Sequence, residues 1–175
     1  MERHLLVAAG LGEILSHEPV VVGGTAEDFY TADEYHETAL DLVAWSLTDA
    51  ERALLVELGF EPTGRYWFHT ASSVAVEFPE SVLAGDGSRV RTVTRPPGRV
   101  RIIGPEDLYL DRVRQATSDP TNESYQKSAL AIAVTQYESL DWGYIDGVIR
   151  KPDEPRQMKQ LNSLIRRRAR KALSS

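Results

Sequence analysis

The sequence predicts an α/β (α+β) protein: a small mixed sheet with flanking helices, followed by a helical C-terminal half. Three observations carry this. Short apolar or alternating runs bounded by glycine and proline recur through residues 20–103. Helix signals, a capping box among them, fall between those runs. From Gly104 onward helical periodicity takes over. With 175 residues, 42% of them hydrophobic and 26% charged, one domain with its own core is expected, divided into a sheet-bearing part (1–103) and a helical part (104–175).

Residues 2–16 read as a helix with Leu5, Leu6, Ala9 and Leu15 as its apolar positions, ended by Pro19. Val20-Val21-Val22 is the first strand, too apolar for an exposed edge. Gly23-Gly24 allows a tight turn with backbone N–H groups free, and Thr25 is placed to cap a short helix over 26–30. A phosphate at such a turn gains from both the amides and the helix dipole; a plain turn is the competing reading. In the second strand, residues 39–44, Leu40, Leu42 and Ala44 share one face and Ala39, Asp41 and Val43 the other. An acid in so apolar a strand is costly to bury unless paired or metal-bound. Thr48-Asp49-Ala50-Glu51 is a capping box for a helix with Leu54, Leu55 and Leu58, closed by Gly59.

Residues 65–68 and 73–78 read as strands joined by the turn His69-Thr70-Ala71-Ser72. Alternation puts Val74, Val76 and Phe78 on the core face and Ser73, Ala75 and Glu77 on the opposite one. Two more strands, 89–94 and 99–103, flank the loop Pro96-Pro97-Gly98. Pro105-Glu106-Asp107 opens a helix with proline and acids in the first turn. Helices over 122–138, 141–150 and 156–172 follow, the last with Met158, Leu161, Leu164, Ile165 and Ala172 as its apolar stripe.

Several function classes are excluded. Without cysteine there is no disulfide and no thiolate metal site, and His4, His17, His36 and His69 make no zinc motif. No Walker loop, dinucleotide glycine fingerprint or nucleophile elbow is present. No apolar run approaches the roughly 20 residues of a membrane span, and the N-terminus lacks a signal peptide's cleavage site, so a cytoplasmic protein with no membrane partner is expected. Net charge is −6, unevenly spread: residues 150–175 hold nine basic side chains against two acidic ones (+7), leaving 11 bases and 24 acids (−13) elsewhere. A basic tail on an acidic body fits a polyanion contact, with RNA phosphates meeting Arg166, Arg167 and Arg168; a solvated helix face is the plain alternative. Aromatic residues near that tail in the sequence are lacking, so base stacking there is not expected.

The order strand, glycine pair, helix, acid-bearing strand resembles the opening of the nucleotidyltransferase fold (polymerase beta-like), in particular small prokaryotic nucleotidyltransferase-like proteins that include toxin–antitoxin components. The matching pieces are Val22-Gly23-Gly24, Tyr30-Thr31, Tyr35, Thr38, Asp41-Leu42-Val43, Arg65 with Trp67, and Glu77-Phe78-Pro79. The resemblance implies transfer of a nucleotide from a nucleoside triphosphate to an acceptor, with the end of an RNA or tRNA as one candidate. It implies phosphate contacts at Gly23, Gly24, Thr38 and Arg65, magnesium held by Asp41 and Glu77, and an antitoxin-like protein as a partner. By position Asp41 matches the family's second acid and Glu77 its third. Ala39 stands where the first acid belongs, and two metal ions facing only two carboxylates leave the charge unbalanced. Three accounts of Ala39 stay open: a natural pseudoenzyme that only binds nucleotide, RNA or a partner; an engineered inactive form; or an oxygen supplied by Glu37 or Asp28.

Lys127 is a further catalytic candidate. Helical spacing sets it beside Leu130, Ala131 and Val134 with no charged partner, from where its ammonium would reach a phosphate as a point charge. The competing reading lays its stem over the core and leaves its ammonium wet. Arg65 divides in the same way between a triphosphate contact and a surface strand residue.

Overall fold

The alternating runs of the N-terminal half form a seven-stranded mixed sheet in the computed structural model, which describes residues 1–32, 39–44, 46–79 and 82–174. Two compact units make up the chain, Met1–Ile103 and Gly104–Ser175, so the change to helical periodicity at Gly104 is also a structural boundary. Unit 1 holds α1 (Glu2–Ile14), β1 (Val20–Val21), α2 (Gly23–Thr31), β2 (Ala39–Val43), α3 (Asp49–Glu57), β3 (Phe60–Thr63), β4 (Tyr66–His69), β5 (Val74–Glu77), β6 (Arg91–Arg95) and β7 (Gly98–Ile102). Unit 2 holds α4 (Pro105–Ser118), α5 (Glu123–Thr135), α6 (Trp142–Ile149) and α7 (Arg156–Leu173). The fold class is α+β, as the sequence predicts. Among the described residues no helix is long and apolar enough to cross a membrane.

Strand order is β3-β4-β5-β2-β1-β7-β6. The pairs β2/β5 and β1/β7 are parallel, and the other neighbours are antiparallel. Parallel strands sit deep in sheets and are apolar, and here Val21, Leu40, Leu42, Val74, Val76 and Ile102 are fully buried. Each such side chain contributes about 1.5–3 kcal/mol by leaving water. Helix α1 packs on β7 and reaches β2, β5 and β6, burying Leu5, Ala8, Ala9 and Leu11 while Leu6 faces outward. At the start of α3 the capping box forms as expected, with the Thr48 side chain accepting from Glu51 N and Glu51 accepting from Thr48 N.

Some elements differ from the sequence reading. Helix α2 begins at Gly23, so the glycine pair is its first turn; Thr25 does not cap it but lies fully buried, with Oγ1 donating to the Ala39 carbonyl at 3.5 Å. Strand β3 had no sequence signal because it carries Pro62, a residue tolerated on a sheet edge, which is where β3 lies. Phe78 falls beyond the end of β5 and is only half-buried. In α3 only Leu55 is buried, and Leu58 is exposed.

In unit 2, α4 buries Leu108, Tyr109, Leu110 and Val113, and packs with α5, α6 and α7. Its first-turn acids do more than meet a helix dipole. Glu106 Oε1 accepts from Asp141 N at 3.1 Å and Asp107 Oδ1 accepts from Tyr144 OH at 2.6 Å, tying α4 to the start of α6. The buried stripe of α7 is Met158, Asn162, Ile165 and Ala169 rather than the expected set with Leu161, Leu164 and Ala172. Asn162 can occupy it because Tyr109 OH donates to its Oδ1 at 2.7 Å.

Candidate functional site

Strand β2 runs parallel to β5 in a register that pairs Ala39 with Ala75, Leu40 with Val76 and Asp41 with Glu77. Side chains alternate between the two faces of a sheet. The buried Leu40, Leu42, Val74 and Val76 therefore mark one face, and Ala39, Asp41, Ala75 and Glu77 the other. Asp41 and Glu77, the two acids singled out from sequence, thus stand side by side on the open face.

The glycine turn meets the same point. Val22 N donates to the Asp41 carbonyl at 3.0 Å. Gly23 has φ +61, and a β-carbon added to it would collide with Asp41 Oδ2 and lie 3.1 Å from Asp41 Cγ. Glycine is favoured there, both because of the left-handed backbone and because a β-carbon would displace the carboxylate. The Asp41 carboxylate accordingly lies against the first turn of α2, where helix amides favour negative charge.

Arg65 closes the group. Its Nε lies 3.3 Å from Glu77 Oε1, with the guanidinium side chain 69% exposed and the carboxylate 15% exposed. The hydrogen bond that Arg65 makes to Tyr66 OH, then the charge of Glu77, hold the guanidinium above its ordinary pKa. Tyr66 is itself the cross-strand partner of Glu77, and Arg65 lies over its ring with 4.8 Å to the centroid. Sequence reading missed Tyr66; its signal was the β4/β5 hairpin, which sets Tyr66 opposite Glu77.

Gly23, Asp41, Arg65 and Glu77 are therefore brought together, with Gly24 in the same turn of α2. Thr38, Glu37 and Tyr35 lie outside the described residues. Asp28, the other candidate for the missing oxygen, is buried on α2. Among the described residues no group of three or more His, Asp or Glu side chains is arranged to hold a metal ion. Two carboxylates side by side are the donor type that a hard divalent cation takes, and among the described residues no third is grouped with them. Tyr30 serves the fold, donating its buried hydroxyl to the Ile103 carbonyl at 2.7 Å.

Lys127 belongs to unit 2, and the expectation that it has no charged partner is corrected. Its Nζ lies 3.2 Å from Glu123 Oε2, one helical turn earlier, and its side chain is 68% exposed. It is not part of the buried line Ser128, Ala129, Ile132 and Ala133.

The run Arg166-Arg167-Arg168 is divided by the helix. At about 100° per residue, Arg166 and Arg168 point to opposite flanks of α7. Arg166 is engaged, with Nη1 3.4 Å from Asp146 Oδ2 and its guanidinium 4.6 Å from the Trp142 ring centroid. Arg167 and Arg168 are exposed. The expectation of no aromatics near the tail is also corrected: folding brings Trp142 and Tyr137 to α7, with Arg170 Nε donating to Tyr137 OH at 3.0 Å. That bond lowers the Tyr137 pKa from its ordinary value.

A separate cavity of about 660 Å³ in unit 1, lined by Leu6, Val7, Ile14, Leu58 and Phe60 among others, is apolar and contains none of these residues. Fold and site together define an α+β protein with paired strand carboxylates beside a glycine-led helix. No protein-family model, curated protein or solved structure matches the chain.

Proposed function

We propose that unit 1 binds a nucleoside triphosphate and that the protein is nucleotidyltransferase-like, transferring a nucleotide to an acceptor such as an RNA end through a reduced metal site. The observation that carries this is the in-register pair Asp41 and Glu77 beside Gly23. Two carboxylates beside this turn repel an anion unless a cation lies between them. Asp41 and Glu77 are the residues that would hold a magnesium ion, which would supply that charge and polarise phosphoryl oxygens.

The remaining roles fall to the chain's own groups. The first-turn amides of α2 bind phosphate oxygens. Arg65 binds and orients the phosphate chain. Its bridge to Glu77 is largely exposed and screened by water, so little is lost when the guanidinium turns to a phosphate. Lys127 has no part in this reading.

A second reading, binding without transfer, is favoured by the neighbours of Asp41. Ala39 is on its face and pairs with Ala75, so neither residue can supply the third carboxylate of a two-ion site.

The test is label transfer from triphosphates to total RNA in magnesium by the wild type, Ala39→Asp and Asp41→Asn. Weak transfer in the wild type, more in Ala39→Asp and none in Asp41→Asn is expected. No transfer in either of the first two, together with magnesium-dependent thermal stabilisation by triphosphate, would establish the binding-only reading. A flat melting temperature as well would remove both.

A further inference from the structure

We infer that the cleft between α6 and α7 is a phosphate-binding site for a single-stranded nucleic acid, built by Arg150, Lys159 and Arg166. This rests on the acceptor reading above only for the identity of the polymer. It moves the contact away from the consecutive arginines to a set that only the fold assembles.

The cleft has a volume of about 190 Å³ and is lined by Asp146, Ile149, Arg150, Lys159, Asn162, Ser163 and Arg166. Three cations therefore face one acid. That acid is already engaged: Asp146 Oδ1 accepts from Asn162 Nδ2 at 3.2 Å, and its Oδ2 lies 3.4 Å from Arg166 Nη1. Asn162, 5% exposed, is fixed in turn by Tyr109 OH. Lys159 and Arg150 are exposed and have no such tie among the described residues. Stacking on Trp142 holds the Arg166 guanidinium in place, so less side-chain freedom is lost when it meets a phosphate.

The cations also form a line. Lys159, Arg166 and Arg170, with the uncharged Ser163 among them, recur at helical spacing along one flank of α7, spanning about 16 Å at 1.5 Å per residue. A stacked single strand advances roughly 3.4 Å per nucleotide, so the flank accommodates several. Tyr137 and Trp142 border it, giving the pairing of basic groups with aromatic side chains on which single strands are held. A lipid surface is a poorer match, because between residues 159 and 170 the helix exposes no large apolar side chain among those described.

The experiment is fluorescence anisotropy of the full chain with labelled oligouridine of about 12 nucleotides, without triphosphate or magnesium. The Arg150→Ala/Lys159→Ala variant is expected to bind about tenfold more weakly or worse, with its log–log salt slope lower by about 1.4, the value for two lost phosphate contacts on a single strand. Arg168→Ala, on the other flank, should stay within about twofold of wild type after ionic strength is matched. Circular dichroism confirms that these exposed substitutions leave the helices formed. Equal binding by the double variant, or an equal loss in Arg168→Ala, overturns the site while leaving an RNA acceptor intact. No binding of either oligouridine or inorganic phosphate by the wild type overturns the site, whereas the acceptor reading stands or falls on label transfer. Saturable perturbation of the Lys159 and Ser163 amides by inorganic phosphate, with no oligouridine binding, shows a free-phosphate site and overturns the polymer assignment.

Discussion

Asp41 on β2 and Glu77 on β5 are register partners across a parallel strand pair, so two acids far apart in sequence share one face of the sheet. Like charges placed side by side on a sheet repel one another and are destabilising. Asp41→Asn should therefore leave the ligand-free protein no less stable, measured by its urea midpoint. The same substitution should abolish stabilisation by magnesium and triphosphate, which in the wild type amounts to about 2.7 kcal/mol at 100 times the dissociation constant. Equal ligand stabilisation in both proteins would remove Asp41 from the site.

Gly23 makes the second prediction. With φ at +61 and the Asp41 carboxylate filling the space a β-carbon would need, Gly23→Ala strains the backbone and pushes the carboxylate aside. The backbone strain alone costs about 1–2 kcal/mol. Gly10→Ala is the contrasting case, because a β-carbon at this α1 position meets nothing within 4 Å. It should stabilise by about 0.5–1 kcal/mol through helix propensity. Denaturant titrations of the two variants should move in opposite directions.

The acid pair and its glycine also show how much was legible in the sequence. Alternation alone placed Asp41 and Glu77 on the faces opposite Leu40 and Val76, because one-sided burial fixes which side chains point inward. Their register was not legible, since nothing local specifies how two strands separated by α3, β3 and β4 align. The basic tail misled for a related reason. Arg166, Arg167 and Arg168 are neighbours in sequence but are spread around a helix, whereas Arg150, Lys159 and Arg166 meet only after α6 and α7 pack. Trp142 lies 24 positions before Arg166, so no local pattern announces their stacking.

The junction between α1 and α3 is predicted to be acid-sensitive. Glu51 accepts from Ser16 N and Oγ at 2.9 and 2.8 Å, and from Thr48 N and Oγ1 at 2.8 and 2.7 Å. The Thr48 backbone bond first, then the Ser16 backbone bond, lower its pKa from 4.5 to about 2. A carboxylate with a depressed folded pKa contributes stability above its unfolded value of 4.5 and loses it as pH falls toward about 2. Glu51→Gln should therefore destabilise near neutral pH, and the gap in urea midpoint from the wild type should close between those two values. Thr48→Ala, which removes the other half of the cap, should cost about 1 kcal/mol near neutral pH. A gap that does not vary with pH would show that Glu51 acts by packing and not by charge.

In unit 2 the chain Tyr109, Asn162, Asp146 and Arg166 couples a buried phenol to the α6–α7 cleft. Burial pushes the Tyr109 phenol well above its ordinary pKa, so it remains a donor through the alkaline range. Tyr109→Phe leaves Asn162 Oδ1 without that donor inside the helical core, at a cost of about 1–3 kcal/mol. Replacing both groups is milder than removing one, because no buried polar atom is then stranded. Asn162→Leu in the Tyr109→Phe background should consequently recover part of the loss, and a double-mutant cycle on the urea midpoints measures the coupling directly. Strictly additive single-variant effects would show that the hydroxyl and the amide are satisfied independently, and that Asn162 lies in the α7 stripe for its shape alone.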